Sequence, residues 1–259
     1  MSDNPRNVDL YTYIALISTI FIKMEFIYWR HPTVPGIKVE EVTGGECYKG
    51  NLWLEMARQV YCENGREEYR EIGHYKNGSP FLYNYGGRIS LTHCDGMLAV
   101  ATLPATPEVD LTLFSERAAL GIDAERADRA QVLRIRQKFL SEAELAMVPA
   151  DDIEANVLLW TVKEAAYKAM LTDGLDFASQ IHIVRIPTLA SPTPVFDSKE
   201  FGLPAGVTSL PDNFIGKVVV HRGELGQTEL LIYSYRSDEH IVTLAYSPRC
   251  AKFGKSGLV

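Results

Sequence analysis

The chain has 259 residues, 46% of them hydrophobic and 23% charged, with a formal net charge of −7. That composition suits one or two globular domains with a sizeable core and excludes a long disordered chain. The acidic balance argues against general DNA or RNA binding, which needs excess Lys and Arg to neutralise phosphate. Cys47, Cys62, Cys94 and Cys250 form no CxxC pair and no zinc-finger spacing, so neither a structural metal cluster nor a disulfide framework is expected, and scattered free thiols fit a reducing, cytoplasmic setting.

Residues 10–22 (LYTYIALISTIFI) form an apolar run shorter than the roughly 20 residues a membrane helix needs. The leader before it lacks the net positive charge of a secretory signal, so residues 1–23 read as an extension and no membrane association is expected. Met24 opens a stretch to residue 45 that reads as one or two strands and a turn, and residues 46–64 read as a helix. Asn77-Gly78 and Gly86-Gly87 are turn signals with short strands between them. RISLTHC (88–94), a turn at Asp95-Gly96 and MLAVATL (97–103) make a hairpin pattern. Residues 104–117 are polar and carry two prolines, which puts a boundary near residue 112.

The second half begins with a strand at AALGIDAE (118–125). An Arg-rich helix follows, then FLSEAEL, where Ser141 and Glu144 form a capping-box signature. Residues 153–171 give the clearest helix of the chain. Beyond Gly174, QIHIVRI, GKVVVHR, ELLIYSYR and HIVTLAYS read as short strands. The predicted class is α+β with hairpin-linked strands, divided into an extension (1–23), a first half (24–112), a second half (113–249) and a tail (250–259).

Chemistry concentrates in two segments. Residues two apart on a strand share a face, so Asp123 and Glu125 present paired carboxylates while Ile122 and Ala124 face the core. Such a pair repels itself unless a cation stands between, and Mg²⁺ takes one or two carboxylates plus substrate phosphates. On the helix, Trp160, Glu164 and Lys168 share one stripe, with Lys163 and Tyr167 on the next. Glu164 could add a third oxygen ligand and the lysines could meet phosphate charge. Alone, each feature is commonplace: a solvated strand face and a helix-surface ion pair.

Their order and spacing resemble a known family, the 4′-phosphopantetheinyl transferases, of the two-lobed, surfactin-synthetase-activating type. The matching segments are NGSP (77–80), ISLTH (89–93), GIDAE (121–125), FLSEAE (139–144) and WTVKEAAYK (160–168). The resemblance implies two similar α+β lobes about a pseudo-twofold axis, with the active site in the cleft between them. It implies transfer of the phosphopantetheine arm of coenzyme A to a serine of an apo carrier protein. Asp123, Glu125 and Glu164 match the ligands of Mg²⁺, with Mn²⁺ as a substitute. Glu164, Lys168 and Asp123 match the catalytic set. His93, Ser90, Thr92, Lys163, Lys168 and the nearby Lys76 fall at the coenzyme A pocket. The partner would be an acidic carrier docking on Arg126, Arg129, Arg134, Arg136 and Lys138, and a monomer is expected because one chain completes the site. The chain departs from the family pattern at Ser79, where lysine is common, at Ala124 of the D-A-E run, and around Arg58, alone where a basic helix is usual. A competing reading is a degenerate relative that binds coenzyme A or a carrier without catalysis. A second is a metal-dependent phosphate enzyme on an unrelated fold.

Overall fold

The computed structural model describes residues 25–30, 38–43, 72–83, 87–103, 119–189 and 216–247. The expected extension (1–23), the helix at 46–64, the boundary near residue 112 and the tail lie outside the described residues. The architecture is α+β, as the pattern of short strands and few helices predicts.

Strands β1 (Glu25–Arg30), β2 (Lys38–Thr43), β5 (Arg88–Cys94) and β6 (Met97–Leu103) form an antiparallel sheet in the order β1-β2-β6-β5. β5 and β6 are the expected hairpin, closed at Asp95-Gly96, where Gly96 takes a φ of +83° that suits glycine. A small hairpin, β3 (Ile72–His74) and β4 (Pro80–Leu82), stands beside it around the Asn77-Gly78 turn.

The second sheet runs β7-β11-β10-β9-β8: β7 (Ala119–Arg126), β8 (Ile181–Arg185), β9 (Gly216–His221), β10 (Gln227–Ser237) and β11 (His240–Ser247). Its helices are α1 (Gln131–Phe139), α2 (Glu142–Leu145), α3 (Ile153–Met170) and α4 (Phe177–Gln180). The capping box forms as expected: Glu144 N donates to Ser141 Oγ, and Ser141 N donates to the Glu144 carboxylate. Asp152 caps α3 by accepting from Ala155 N.

Two cores flank β7. Ile122, Ala124 and Leu120 pack with Met97, Ala99 and Ala101 of β6 and with Tyr233, Tyr235, Val242 and Leu244. The opposite face of the sheet packs α3 through Val157, Leu159, Val162, Ala165 and Ala169 against Ile232, Val218 and Ile241. β7 is therefore buried on both faces, and its acidic residues lie on the helix side rather than on a solvated surface.

β7 is also the edge of its sheet, and an edge leaves amides without a ladder partner. Here β5 supplies side-chain acceptors in their place. Ile122 N donates to Ser90 Oγ at 3.0 Å and Ala124 N to Thr92 Oγ1 at 3.2 Å. The two sheets are thus joined along a seam of hydroxyls. Among the described residues, no helix is long and apolar enough to cross a membrane.

Candidate functional site

The site is assembled by one close approach. Gly121 faces α3 so tightly that a Cβ there would stand 2.0 Å from Ala165 O and 2.6 Å from Ala169 N. Only glycine allows helix and strand to meet at this distance. Asp123 and Glu125 follow on the same face of β7. Glu164 and Lys168, one turn apart on α3, are brought against them.

These residues line a cleft of about 490 Å³. The seam of β5 contributes Ser90, Thr92 and His93, the β3–β4 turn contributes His74 and residues 77–80, and Arg129 stands at the start of α1. Asn77 ties the turn down: its amide donates to Leu171 O at 2.9 Å, catching an orphan carbonyl where α3 ends in a left-handed residue with φ +48°. The sequence marks Asn77 as a turn and as part of the NGSP segment, but nothing local marks a bond made 94 residues away.

Two of the three carboxylates carry counter-ions. Asp123 Oδ1 accepts from Lys168 Nζ at 2.6 Å and from Thr92 Oγ1 at 3.0 Å. Glu125 accepts from its neighbour, Arg126 N, at 3.0 Å and from the Arg129 guanidinium. Glu164 accepts from no donor among the described residues. Burial first, then the Asp123 charge, pushes its pKa up to about 7, against the pull of Lys168 and Arg129. His93, at the rim, has its pKa lowered by desolvation and by the Lys168 ammonium, with Asp123 opposing. The neutral imidazole is thereby favoured.

As they stand, no three His, Cys, Asp or Glu side chains among the described residues are gathered tightly enough to hold an ion. The donor set itself is of the right kind. Asp123, Glu125 and Glu164 offer only oxygens, from a strand and a helix, and Glu164 has no hydrogen-bonded counter-ion among the described residues. That suits a hard divalent cation such as Mg²⁺ once Lys168 and Arg129 turn aside.

Several expected positions are used differently. Lys163 is fully buried and does not reach the cleft. Its ammonium donates to Glu144 at 2.7 Å, to Phe177 O at 2.8 Å and to Ile181 O, on the far side of α3. Expected at coenzyme A, it instead holds α2, α4 and β8 to the helix. Lys76 is exposed and is not part of the cleft lining. Ser90 and Thr92 line the cleft, but their hydroxyls are engaged with β7. Trp160, on the same stripe as Glu164, packs edge-on against Phe139 and also lines the cleft.

The basic stretch is not a row of five free cations either. Arg126 is shared between Asp128 and Glu239, Arg129 pairs with Glu125, and Arg136 donates to the carbonyls of Leu145 and Val148. Arg134 and Lys138 remain exposed on one stripe of α1.

The sequence profile of the 4′-phosphopantetheinyl transferase superfamily matches residues 119–209. A domain of that superfamily therefore begins at β7 and takes in Asp123, Glu125, Glu164 and Lys168. No curated protein matches the chain.

Proposed function

We propose, from a chain that carries a 4′-phosphopantetheinyl transferase superfamily domain at residues 119–209, that it moves the 4′-phosphopantetheine group of coenzyme A onto a serine of an apo carrier protein, acyl or peptidyl. The observation that carries the reading is the convergence of Asp123 and Glu125 from β7 with Glu164 and Lys168 from α3 in one cleft. The enzyme would be of the two-lobed type, cytoplasmic and monomeric, with the β5 side of the cleft belonging to the first lobe.

Asp123, Glu125 and Glu164 would hold Mg²⁺ or Mn²⁺, which when bound offsets the charge of the diphosphate. The chain's own residues do the rest. The carrier serine gives its proton to a Glu164 oxygen. The serine Oγ forms a bond to the phosphorus that bears the pantetheine arm. The bond from that phosphorus to adenosine 3′,5′-bisphosphate breaks, and Lys168 meets the charge on the departing phosphate. Most of the rate gain comes from positioning and charge stabilisation, as in other phosphoryl transfers. Thr92 orients Asp123 for this work, and His93 at the rim would meet the nucleotide.

Arg134 and Lys138 are the exposed cations left on α1 to draw an acidic carrier towards the cleft. The test is intact-mass spectrometry of an apo carrier incubated with the protein, coenzyme A and Mg²⁺, beside an EDTA control. A gain of about 340 Da, one phosphopantetheine arm, lost with EDTA, is expected. Tight coenzyme A binding without any gain over several carriers would favour a degenerate binding protein instead.

A further inference from the structure

Lys168 and Arg129 both line the cleft, but the reaction described above gives a task to Lys168 alone. Arg129 sits in the short connection between β7 and α1. Its backbone is pinned at both ends, Arg129 N donating to Arg126 O and Val132 N donating to Arg129 O, each at 3.2 Å. The side chain is 42% exposed and lines both the main cleft and a side recess floored by Asp95, Asp128 and Gln131. So the Cα is fixed while the guanidinium has open space on two sides. Its anchor is Glu125, which the donor set assigns to the cation.

The cleft's charge explains what a second cation is for. Carboxylates on its wall outnumber permanent cations: Asp123, Glu125, Glu164 and Asp173 face Lys168 and Arg129. The opposite wall, residues 77–80 of the β3–β4 turn, is uncharged, and Lys76 points to solvent. A nucleotide with a diphosphate and a further phosphate brings more negative charge than Lys168 alone can meet. The other arginines nearby are committed elsewhere, Arg126 to Asp128 and Glu239 and Arg136 to backbone carbonyls.

Resting on the transferase reading, we propose that Arg129 is an exchangeable phosphate ligand: it neutralises Glu125 in the metal-free protein, yields that carboxylate to the divalent cation, and then binds a phosphate of the nucleotide. A guanidinium suits this role because its planar fork matches carboxylate and phosphate alike. Divalent cation and Arg129 would then compete for Glu125, while cation and nucleotide would help each other.

The experiment measures two affinities on the full chain and on Arg129→Gln and Arg129→Lys: Mn²⁺ alone, by electron paramagnetic resonance, and coenzyme A at saturating Mn²⁺, by calorimetry. Arg129→Gln should bind Mn²⁺ about threefold tighter or more, since a competitor is gone, and coenzyme A about tenfold more weakly, the loss of one charge-assisted phosphate bond. Arg129→Lys should recover part of the coenzyme A affinity. A merely structural arginine would move both affinities the same way or neither. Tighter Mn²⁺ with unchanged coenzyme A would overturn the phosphate contact, and no change in either would overturn the whole inference. If the unaltered protein binds Mn²⁺ but no coenzyme A, the transferase reading itself fails first.

Discussion

Lys163 and Lys168 stand on the same helix and do opposite things. Lys168 reaches Asp123 in the cleft, whereas Lys163 is sealed behind the helix with Glu144 and two carbonyls. The sequence shows both within a turn of Glu164. Which stripe of α3 faces the strand depends on where Gly121 lets the helix settle, a non-local fact that spacing along one element does not contain. Burial depresses the Lys163 pKa and the Glu144 carboxylate opposes the shift. Truncating one partner strands the other, so Lys163→Met is expected to lower stability by about 3–5 kcal/mol in urea titrations. Glu164 gives a different handle. Its folded pKa of about 7 lies above its ordinary value of 4.5, so the folded state binds the proton more tightly than the unfolded chain. In metal-free protein this contribution is fully present below about pH 4.5 and fades as pH rises through about 7. Glu164→Gln should remove that downward slope between those values, seen in denaturant midpoints against pH, and should abolish transfer while leaving the fold intact. A slope unchanged by the substitution would count against the raised pKa.

At the scale of elements, the β5–β6 hairpin, β7, the capping box, α3 and strands β8–β11 were all legible, because each is marked by a local signal of alternation, turn or cap. What was not legible is how they join. Alternation puts Ser90 and Thr92 on one face of β5, but only the assembled structure reveals that their hydroxyls accept the edge amides of β7. A reading of them as nucleotide contacts overlooked this tether. Replacing both, Ser90→Ala with Thr92→Val, leaves two buried amides without acceptors and should cost about 2–4 kcal/mol, measurable as a lower urea midpoint. Gly121 marks the sharper constraint. In Gly121→Ala the new methyl meets backbone on α3 rather than a side chain that could turn away. The helix must shift, carrying Glu164 and Lys168 from Asp123. Transfer should fall at least a hundredfold even in protein that still folds, a 1 Å misplacement being enough for that.

Among the described residues, the two larger antiparallel sheets share one seam, with α3 laid across the second. The α+β class was readable from short hairpin-linked strands, and the structure brings the three carboxylates proposed from their order along the chain into one cleft. The burial of β7 on both faces was not, since GIDAE alternates like a strand with one solvated side. The ion pairs made by that buried strand bear on how the protein lives before it works. Lys168 and Arg129 act as internal counter-ions for Asp123 and Glu125, so the fold does not wait for a divalent cation to neutralise them. Chelation should therefore end transfer while leaving the far-ultraviolet circular dichroism unchanged; a chain that unfolds in EDTA would contradict this. On the proposed function, manufacture and activation would thus be separate events: during a shortage of magnesium the cell would still accumulate finished, idle protein, and the return of the ion would switch on the standing stock without any new synthesis.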